Sequence, residues 1–443
     1  METGLSGGNE RPWENVVESA ARSVASVRRA APVRVTFRSV FAVREFRSLW
    51  LAQVLSVAGD QLARVAMTVL VYDQTRSAFW SAATYAVTLV PWLLGGLALS
   101  GLADRLPRRE VMVACDVVRM VLVGAMALLS EKSSDSIGLW LLVALLFVVT
   151  LLDSPFKAAR SAMVPDILTG ELYVLGVAVS QTALQTGMVA GFALGGIVVT
   201  ALHVSGALAV DAVTFAASAL LVRFGVLRRA AAAGHAETAG SRFGEIAAGV
   251  RLVFGNGTLR TLVLYGWLVT FYIVPMGLAA PYAHSMHSGL PLAVATGVIF
   301  AAGPFGTMVG AVAFSRLVQP QQRQRLLAPL AATACGVLIL LILRVDFVAA
   351  LVILAVSGAC ASYQLAANSA FVAAIPPERR GQAFGLANGG MQVFQGLWIV
   401  FAGALASMTH SPGMIIAISG GIGAALAAAL AVTHHRDSAQ PSR

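Results

Sequence analysis

Twelve long apolar runs restrict this chain to one kind of solvent. They cover roughly 48–72, 78–101, 110–131, 136–157, 172–200, 206–226, 260–283, 292–315, 326–344, 347–370, 382–408 and 412–433. A helix needs about 20 apolar residues to cross about 30 Å of hydrocarbon. Lipid offers no hydrogen bonds, so only helices and closed barrels can span it. Barrel strands read as short segments of alternating polarity, whereas these runs are continuous. The expected fold is therefore an all-α polytopic membrane protein of twelve transmembrane helices. Composition supports the point: hydrophobic residues make up 58% of the chain and charged residues 12%, and mean hydropathy is +0.78. A soluble domain carries about 25% charged residues and needs that polar surface to cover its core. The first run follows a polar, Arg-rich stretch and is too long for a signal core, so it is expected to stay in the mature protein.

Lys and Arg set the orientation. With a cytoplasmic amino terminus, 26 of the 31 fall on the inner side. Only Arg76, Lys132 and Arg344 fall outside, and Arg64 and Arg119 lie within runs. Such asymmetry is a positive-inside signal and expects both termini in the cytoplasm of a bacterial inner membrane. The net charge of +10 is spread over short loops rather than along one folded face, which argues against nucleic acid. Thr36–Arg47 interleaves Phe37, Phe41 and Phe46 with Arg38, Arg44 and Arg47. It reads either as a helix lying on the inner leaflet or as a disordered basic tail.

Matching residues recur at a near-constant offset. Arg105 and Arg316, Pro165 and Pro376, and Gln181 and Gln392 each stand 211 apart, and Arg47 and Arg260 stand 213 apart. This expects two pseudo-symmetric six-helix halves with a substrate site between them near the midplane. The domains expected are a basic segment (1–47), a first half (48–227), a cytoplasmic linker (228–258), a second half (259–433) and a cytoplasmic tail (434–443).

The segment Ser100–Arg109 (SGLADRLPRR) resembles the GxLaDRxGRR loop of the major facilitator superfamily, with Asp104, Arg105, Arg108 and Arg109 matching. Ser100 and Pro107 stand where that pattern has glycine. Resemblance implies the major facilitator fold and a cytoplasmic gate in which the carboxylate meets the amino-terminal end of the eleventh helix. An anion there gains about 0.3–2 kcal/mol from the helix dipole. The stretches FRSLWLAQVLSVAGDQ, SPFKAARSAMVPDIL and PPERRGQAFGL are similar to an exporter branch that includes macrolide-efflux proteins and the enterobactin exporter. Gly191, Gly195 and Gly196 fit the superfamily's GPxxGG exporter pattern, with Phe192 in place of proline. With Gly187 they also form a small-residue stripe that lets helices approach closely, and packing alone accounts for that much.

Charges at membrane depth are costly and mark function by default. Asp60 and Arg64 are one turn apart on one helical face. They read as a proton-coupling pair, in which Asp60 takes a proton when Arg64 is drawn away, or as a permanent structural ion pair. Asp116 and Arg119 read as part of the gate's charge network, Asp153 and Lys157 as an interfacial pair, and Asp211 as a hydrated group near an outer mouth. Gln181, Gln185, Asn388, Gln392, Gln395, Tyr265 and Tyr363 are the candidate substrate contacts, and Tyr85, Trp267, Tyr272 and Trp398 the further aromatic walls. Gln and Asn also hold membrane helices together, which is the competing reading.

Cys115, Cys335 and Cys360 sit in apolar stretches without metal or disulfide spacing and read as core filler. No GxxxxGK[ST] loop occurs. The histidines cluster neither with carboxylates nor with a nucleophile, so no metal, cofactor or enzymatic activity is expected. The expected partners are a small-molecule substrate, protons as coupling ion and membrane lipids, and the chain is expected to be a monomer. Three functions stay open: a proton-coupled exporter, an importer or facilitator, and a transport-inactive sensor or scaffold.

Overall fold

The computed structural model describes residues 36–89, 91, 106–132, 136–229, 242–376 and 379–439. Among them, nine continuous helical stretches are long and apolar enough to cross a membrane, and Leu327–Leu343 forms a shorter apolar helix. One of the nine, Glu171–Gly225, contains two of the sequence runs. His203 leaves the helical region at φ 59° and the chain doubles back there. The second sequence run is described only at its start.

The spanning elements of the first half are α1 (Arg44–Thr75), α2 (Ala78–Val87), α3 (Arg108–Lys132), α4 (Ser136–Leu151), α5 (Asp153–Ile167) and the bent α6 (Glu171–Gly225). The second half opens with α7 (Gly257–Trp267), continued by short helices to Ser285, and α8 (Leu292–Leu317). It goes on through α9 (Leu327–Gly336) with a 3₁₀ extension to Leu343, α10 (Phe347–Cys360), α11 (Tyr363–Ala374), α12 (Arg380–Thr409) and α13 (Pro412–Ala439). Before α1, Phe37–Ala42 is a short helix, with Ser39 Oγ donating to the Thr36 carbonyl at 2.6 Å.

Prolines explain three of the breaks. Pro155 has no N–H to give to Leu151, so the helix interrupts at Leu152 and resumes as α5. The stretch 136–167 thus runs a full ten residues beyond the apolar run that ends near 157. Pro275 and Pro281 cut the continuation of α7 into short segments in the same way.

The exposed flanks carry large apolar side chains, among them Val121, Leu128, Phe224, Leu317 and Leu397. Water would penalise such a surface and hydrocarbon accepts it. Among the described residues, the turns bearing most arginines lie at one end of the bundle. The opposite, Arg-poor end holds every non-glycine residue with positive φ among those described: Arg76, His203, His287, Arg344 and His410. Left-handed residues end helices, and a cationic one there also meets the negative pole of the helix dipole. Two of the three basic residues against the charge asymmetry, Arg76 and Arg344, are such caps. Arg76 and His287 stand 211 residues apart, one more pair at the repeat's offset.

The halves meet through α6 against α8 and α2 against α12. Gly196 abuts the backbone of Ala293 and Val294, and Gly297 abuts that of Phe192 and Gly196. The Phe79 N–H donates to Ser407 Oγ at 2.8 Å, and the rings of Tyr72 and His284 lie 5.7 Å apart. These contacts close the Arg-poor end.

Candidate functional site

Two features stand out inside the bundle: a knot of charges within the first half and an uncharged cavity between the halves. The knot is centred on Arg119 of α3, whose side chain is 1% exposed. Its Nη2 meets Asp60 Oδ1 of α1 at 2.6 Å, and its Nη1 lies 3.9 Å from Asp153 Oδ1 of α5. Its guanidinium carbon sits 4.1 Å from the ring centre of Phe215 in α6. Lys157 Nζ reaches Asp153 Oδ2 at 2.5 Å, one turn along α5. Ser218 Oγ donates to Asp116 Oδ2 at 2.5 Å, and Thr214 Oγ1 donates to Asp211 Oδ1 at 3.2 Å.

Local sequence positions each member. The break at Leu152 sets Asp153 at the first turn of α5, and Gly59 leaves room for Asp211. A Cβ on Gly59 would collide with the Asp211 carboxylate and the Thr214 hydroxyl. Asp60, Arg64, Arg119, Asp153 and Asp211 line a cleft of about 20 Å³, room for one water. Asp116 Oδ1, Asp211 Oδ2 and Arg119 Nε are buried without a hydrogen-bond partner among the described residues.

The cavity measures about 340 Å³ and is lined by residues including Tyr85, Gln185, Met188, Tyr272, Met276, Thr307 and Gln364. On α6, Gln185 and Met188 precede the seal residues Phe192 and Gly196. On α8, which runs the opposite way, Gly303 and Thr307 follow Gly297. The cavity therefore lies on the Arg-rich side of the seal. Tyr85 Oη donates to Met276 Sδ at 3.1 Å, and Gln364 Nε2 donates to Tyr272 Oη at 2.8 Å. No Asp, Glu, Lys or Arg occurs in 261–315, 326–343, 347–376 or 381–433, so the second-half walls are neutral. An ion moved into such a wall costs several kcal/mol even after relaxation. A desolvated cation–π contact returns about 2 kcal/mol.

The structure rearranges the groups expected from sequence. Asp60 pairs with Arg119 rather than Arg64, because the partner one helix away lies at the same depth. Arg64 Nη1 donates instead to Gln61 Oε1 at 3.3 Å. Asp116 and Arg119 stand two to three turns up α3 from Arg108, in the knot. Arg108 binds Asp166 at 2.6 Å and the Ala162 carbonyl at 2.8 Å. Arg109 binds Glu110 at 2.8 Å and the Val226 carbonyl at 3.2 Å. Both staple ends of the first half together, and Asp104 and Arg105 lie outside the described residues. Asp153 is interior rather than interfacial, with the half-buried Lys157 beside it, and Asp211, 1% exposed, is buried rather than hydrated at a mouth.

Of the candidate substrate contacts, only Gln185 lines the cavity. Tyr265 and Tyr363 are core residues of the second half, 1% and 0% exposed, and Tyr363 Oη donates to the Tyr265 carbonyl at 2.9 Å. Gln395 is buried, Gln181 and Asn388 are exposed, and Gln392 is half-buried, none of them at the cavity wall. Gln364, Met188 and Met276 are lining residues that sequence reasoning missed; Gln364 follows Tyr363 directly, but helical phase alone does not say which of the two faces the seam. The glycine stripe divides. Gly187, Gly191 and Gly195 press on α1 at Val57, Ala58 and Leu62, whereas Gly196 faces α8 across the seam.

Comparison with known proteins agrees with this architecture. The family model described as Major Facilitator Superfamily matches residues 49–362. An uncharacterized MFS-type transporter, YkuC, of Bacillus subtilis is 26% identical over 186 residues, 42% of each chain. The multidrug efflux pump Tap of Mycobacterium tuberculosis is 24% identical over 228 residues, 51% of this chain and 54% of that one. The chain thus spans about half the length of the curated relatives it matches. Among solved structures, a bacterial homolog of the human lysosomal transporter Spinster, inward-facing and occupied, superposes with a TM-score of 0.65 at 14% identity. That match covers 90% of this chain and 98% of the other. A POT family transporter in complex with a thioalcohol-conjugated peptide gives a TM-score of 0.68 at 10% identity, covering 89% and 96%. These two likenesses concern the fold.

Proposed function

Because the chain belongs to the major facilitator superfamily, we propose that it is a proton-coupled exporter of a small, partly apolar organic molecule, working by alternating access of its two halves. It is a multi-pass membrane transporter rather than an enzyme. The observation that carries the finer reading is the separation of labour inside the bundle. Ionisable groups gather around Arg119 in the first half, and a neutral cavity of ligand size lies at the seam. Pockets for organic ligands combine apolar walls with a few polar anchors, and this one does so with Gln185 and Gln364 among methionines, prolines and tyrosines. The similarity to a protein named a multidrug efflux pump supports export.

In this reading the Arg-rich end faces the cytoplasm, so the cavity is open inward and sealed outward. With Asp60 ionised, Arg119 is held by it at 2.6 Å. A proton on Asp60 removes that attraction and leaves Asp153, already 3.9 Å from the guanidinium, as the competing partner. A charge that changes partner between helices supplies the bistable element alternating access needs. The drive is set by direction: protons enter from an acidic exterior and leave to the cytoplasm as substrate moves out.

The test uses inside-out vesicles loaded with an acidic lumen and a panel of fluorescent organic compounds. Accumulation that collapses with the pH gradient, and is lost in Asp60→Asn while membrane levels of the protein hold, is the expected result. Accumulation only in right-side-out vesicles would make the chain an importer. Equal transport by Asp60→Asn would remove the proton role from this residue.

A further inference from the structure

Resting on the transporter reading above, we infer that the cavity between the halves selects uncharged aromatic compounds and turns away both cations and anions. Its volume of about 340 Å³ is that of a drug-sized ligand site. No formally charged side chain lines it among the described residues. The spans of the second half contain none to bring in, so rearranging α7 to α13 does not supply a counter-ion. The first half contributes Tyr85, Gln185 and Met188 to the wall. Arg119 is engaged with Asp60 and Lys157 with Asp153, while Arg64 is held by Gln61 and does not line the cavity.

Aromatic faces do not make up the deficit for a cation. The Tyr85 ring stacks on Phe300 at 5.9 Å, and its hydroxyl is spent on Met276. A cation would enter with a single remaining aromatic contact and no anion, which repays only part of its desolvation. An anion would meet no cationic donor. An aromatic plane, by contrast, finds two thioethers, Met188 and Met276, and thioether sulfur packs favourably on rings.

Polar anchors are few and neutral. Thr307 Oγ1 donates to the Gly303 carbonyl at 3.1 Å and Ser357 Oγ to the Ala334 carbonyl at 2.5 Å. Both hydroxyl protons are spent within the protein, the first inside α8 and the second between α10 and α9. The Gln185 carboxamide and the Gln364 carbonyl oxygen remain for the ligand, suiting a molecule with one or two hydrogen-bonding groups on an aromatic frame.

Equilibrium dialysis of the purified full chain in dodecyl maltoside, against protein-free micelles, tests this with three probes. N-phenyl-1-naphthylamine is uncharged, 8-anilino-1-naphthalenesulfonate adds a sulfonate to the same rings, and ethidium is a flat permanent cation. The expected result is saturable naphthylamine binding, with both charged probes weaker by about tenfold or more. Met276→Trp, which fills the cavity, should remove naphthylamine binding. Gln364→Glu, which installs an anion in the wall, should tighten ethidium by about tenfold. Ethidium or the sulfonate binding the unsubstituted chain as tightly as the naphthylamine would overturn the inference. So would naphthylamine binding that is not saturable or is untouched by both substitutions. Dialysis needs no gradient, so selective binding without pH-driven transport would sink the exporter reading alone.

Discussion

In the first half, Asp60, Arg64, Asp116, Arg119, Asp153, Lys157 and Asp211 share one interior; in the second, the spans hold no Asp, Glu, Lys or Arg at all. The two halves keep the same helical plan and matching caps at Arg76 and His287, yet they stabilise their interiors by different physics. The second half is packed like an apolar core, with Tyr265, Phe271, Tyr363 and Phe371 buried together. The first half instead buries formal charges, and Arg119, Asp60, Asp153 and Lys157 are tolerable there because they pair with one another. The difference teaches that a repeat constrains helix placement far more tightly than it constrains what the helices carry.

That contrast can be broken most forcefully at its centre. Arg119→Leu leaves Asp60 and Asp153 without their shared cation and should destabilise the chain by about 3–5 kcal/mol. This would be read as a loss of monodisperse protein on heating in detergent. Asp60→Asn combined with Arg119→Gln should recover much of the loss, because no unpaired charge remains between them. Recovery would show that pairing, rather than packing volume, holds this interior.

A smaller effect is expected at the seam. Gly297→Leu pushes a side chain into the backbone of Phe192 and Gly196. Overpacking costs about 1–3 kcal/mol, and here it falls on the closed state alone. Cysteines placed at Ser77 and Ser407 should therefore label faster with a membrane-impermeant maleimide in the Gly297→Leu background, while the melting temperature moves little. Gly59→Ala tests the same cost inside the first half, where no opening relieves it. It should lower stability by about 1–3 kcal/mol without changing labelling at the seam.

The mildest substitution belongs to the second half. Tyr363→Phe removes one interhelical hydrogen bond, to the Tyr265 carbonyl, and such bonds average about 0.6 kcal/mol within membranes. A small fall in melting temperature with unchanged probe binding is the expected outcome. A loss of binding comparable to that of Met276→Trp would return Tyr363 to the substrate site.

The helices and their repeat are readable because a single physical demand, backbone satisfaction in lipid, writes itself along the chain as apolar length. The charged knot is readable only in its members. Spacing reveals neighbours on one helix, so it matches Asp60 with Arg64, one turn away. The actual partner, Arg119, sits on another helix, and finding it requires both depth and rotation. Depth is accessible by counting: Asp60 and Arg119 lie within a few residues of the same distance from the Arg-rich ends of α1 and α3. Rotation is harder to read, since apolar residues surround the few polar ones on these helices. The same ambiguity puts Tyr363 at the cavity and misses Gln364, its immediate neighbour. Gly191, Gly195 and Gly196 group as one motif in sequence, yet adjacent residues on a helix point about 100° apart and serve different partners.

The neutrality of the second half has an electrical consequence. A bundle without formal charge in its spans does no work against the transmembrane voltage when it tilts. Moving one elementary charge fully through 100 mV is worth about 2.3 kcal/mol. In the proposed cycle, any voltage dependence is thus confined to the movements of Arg119 and its neighbours, and to the protons they would exchange.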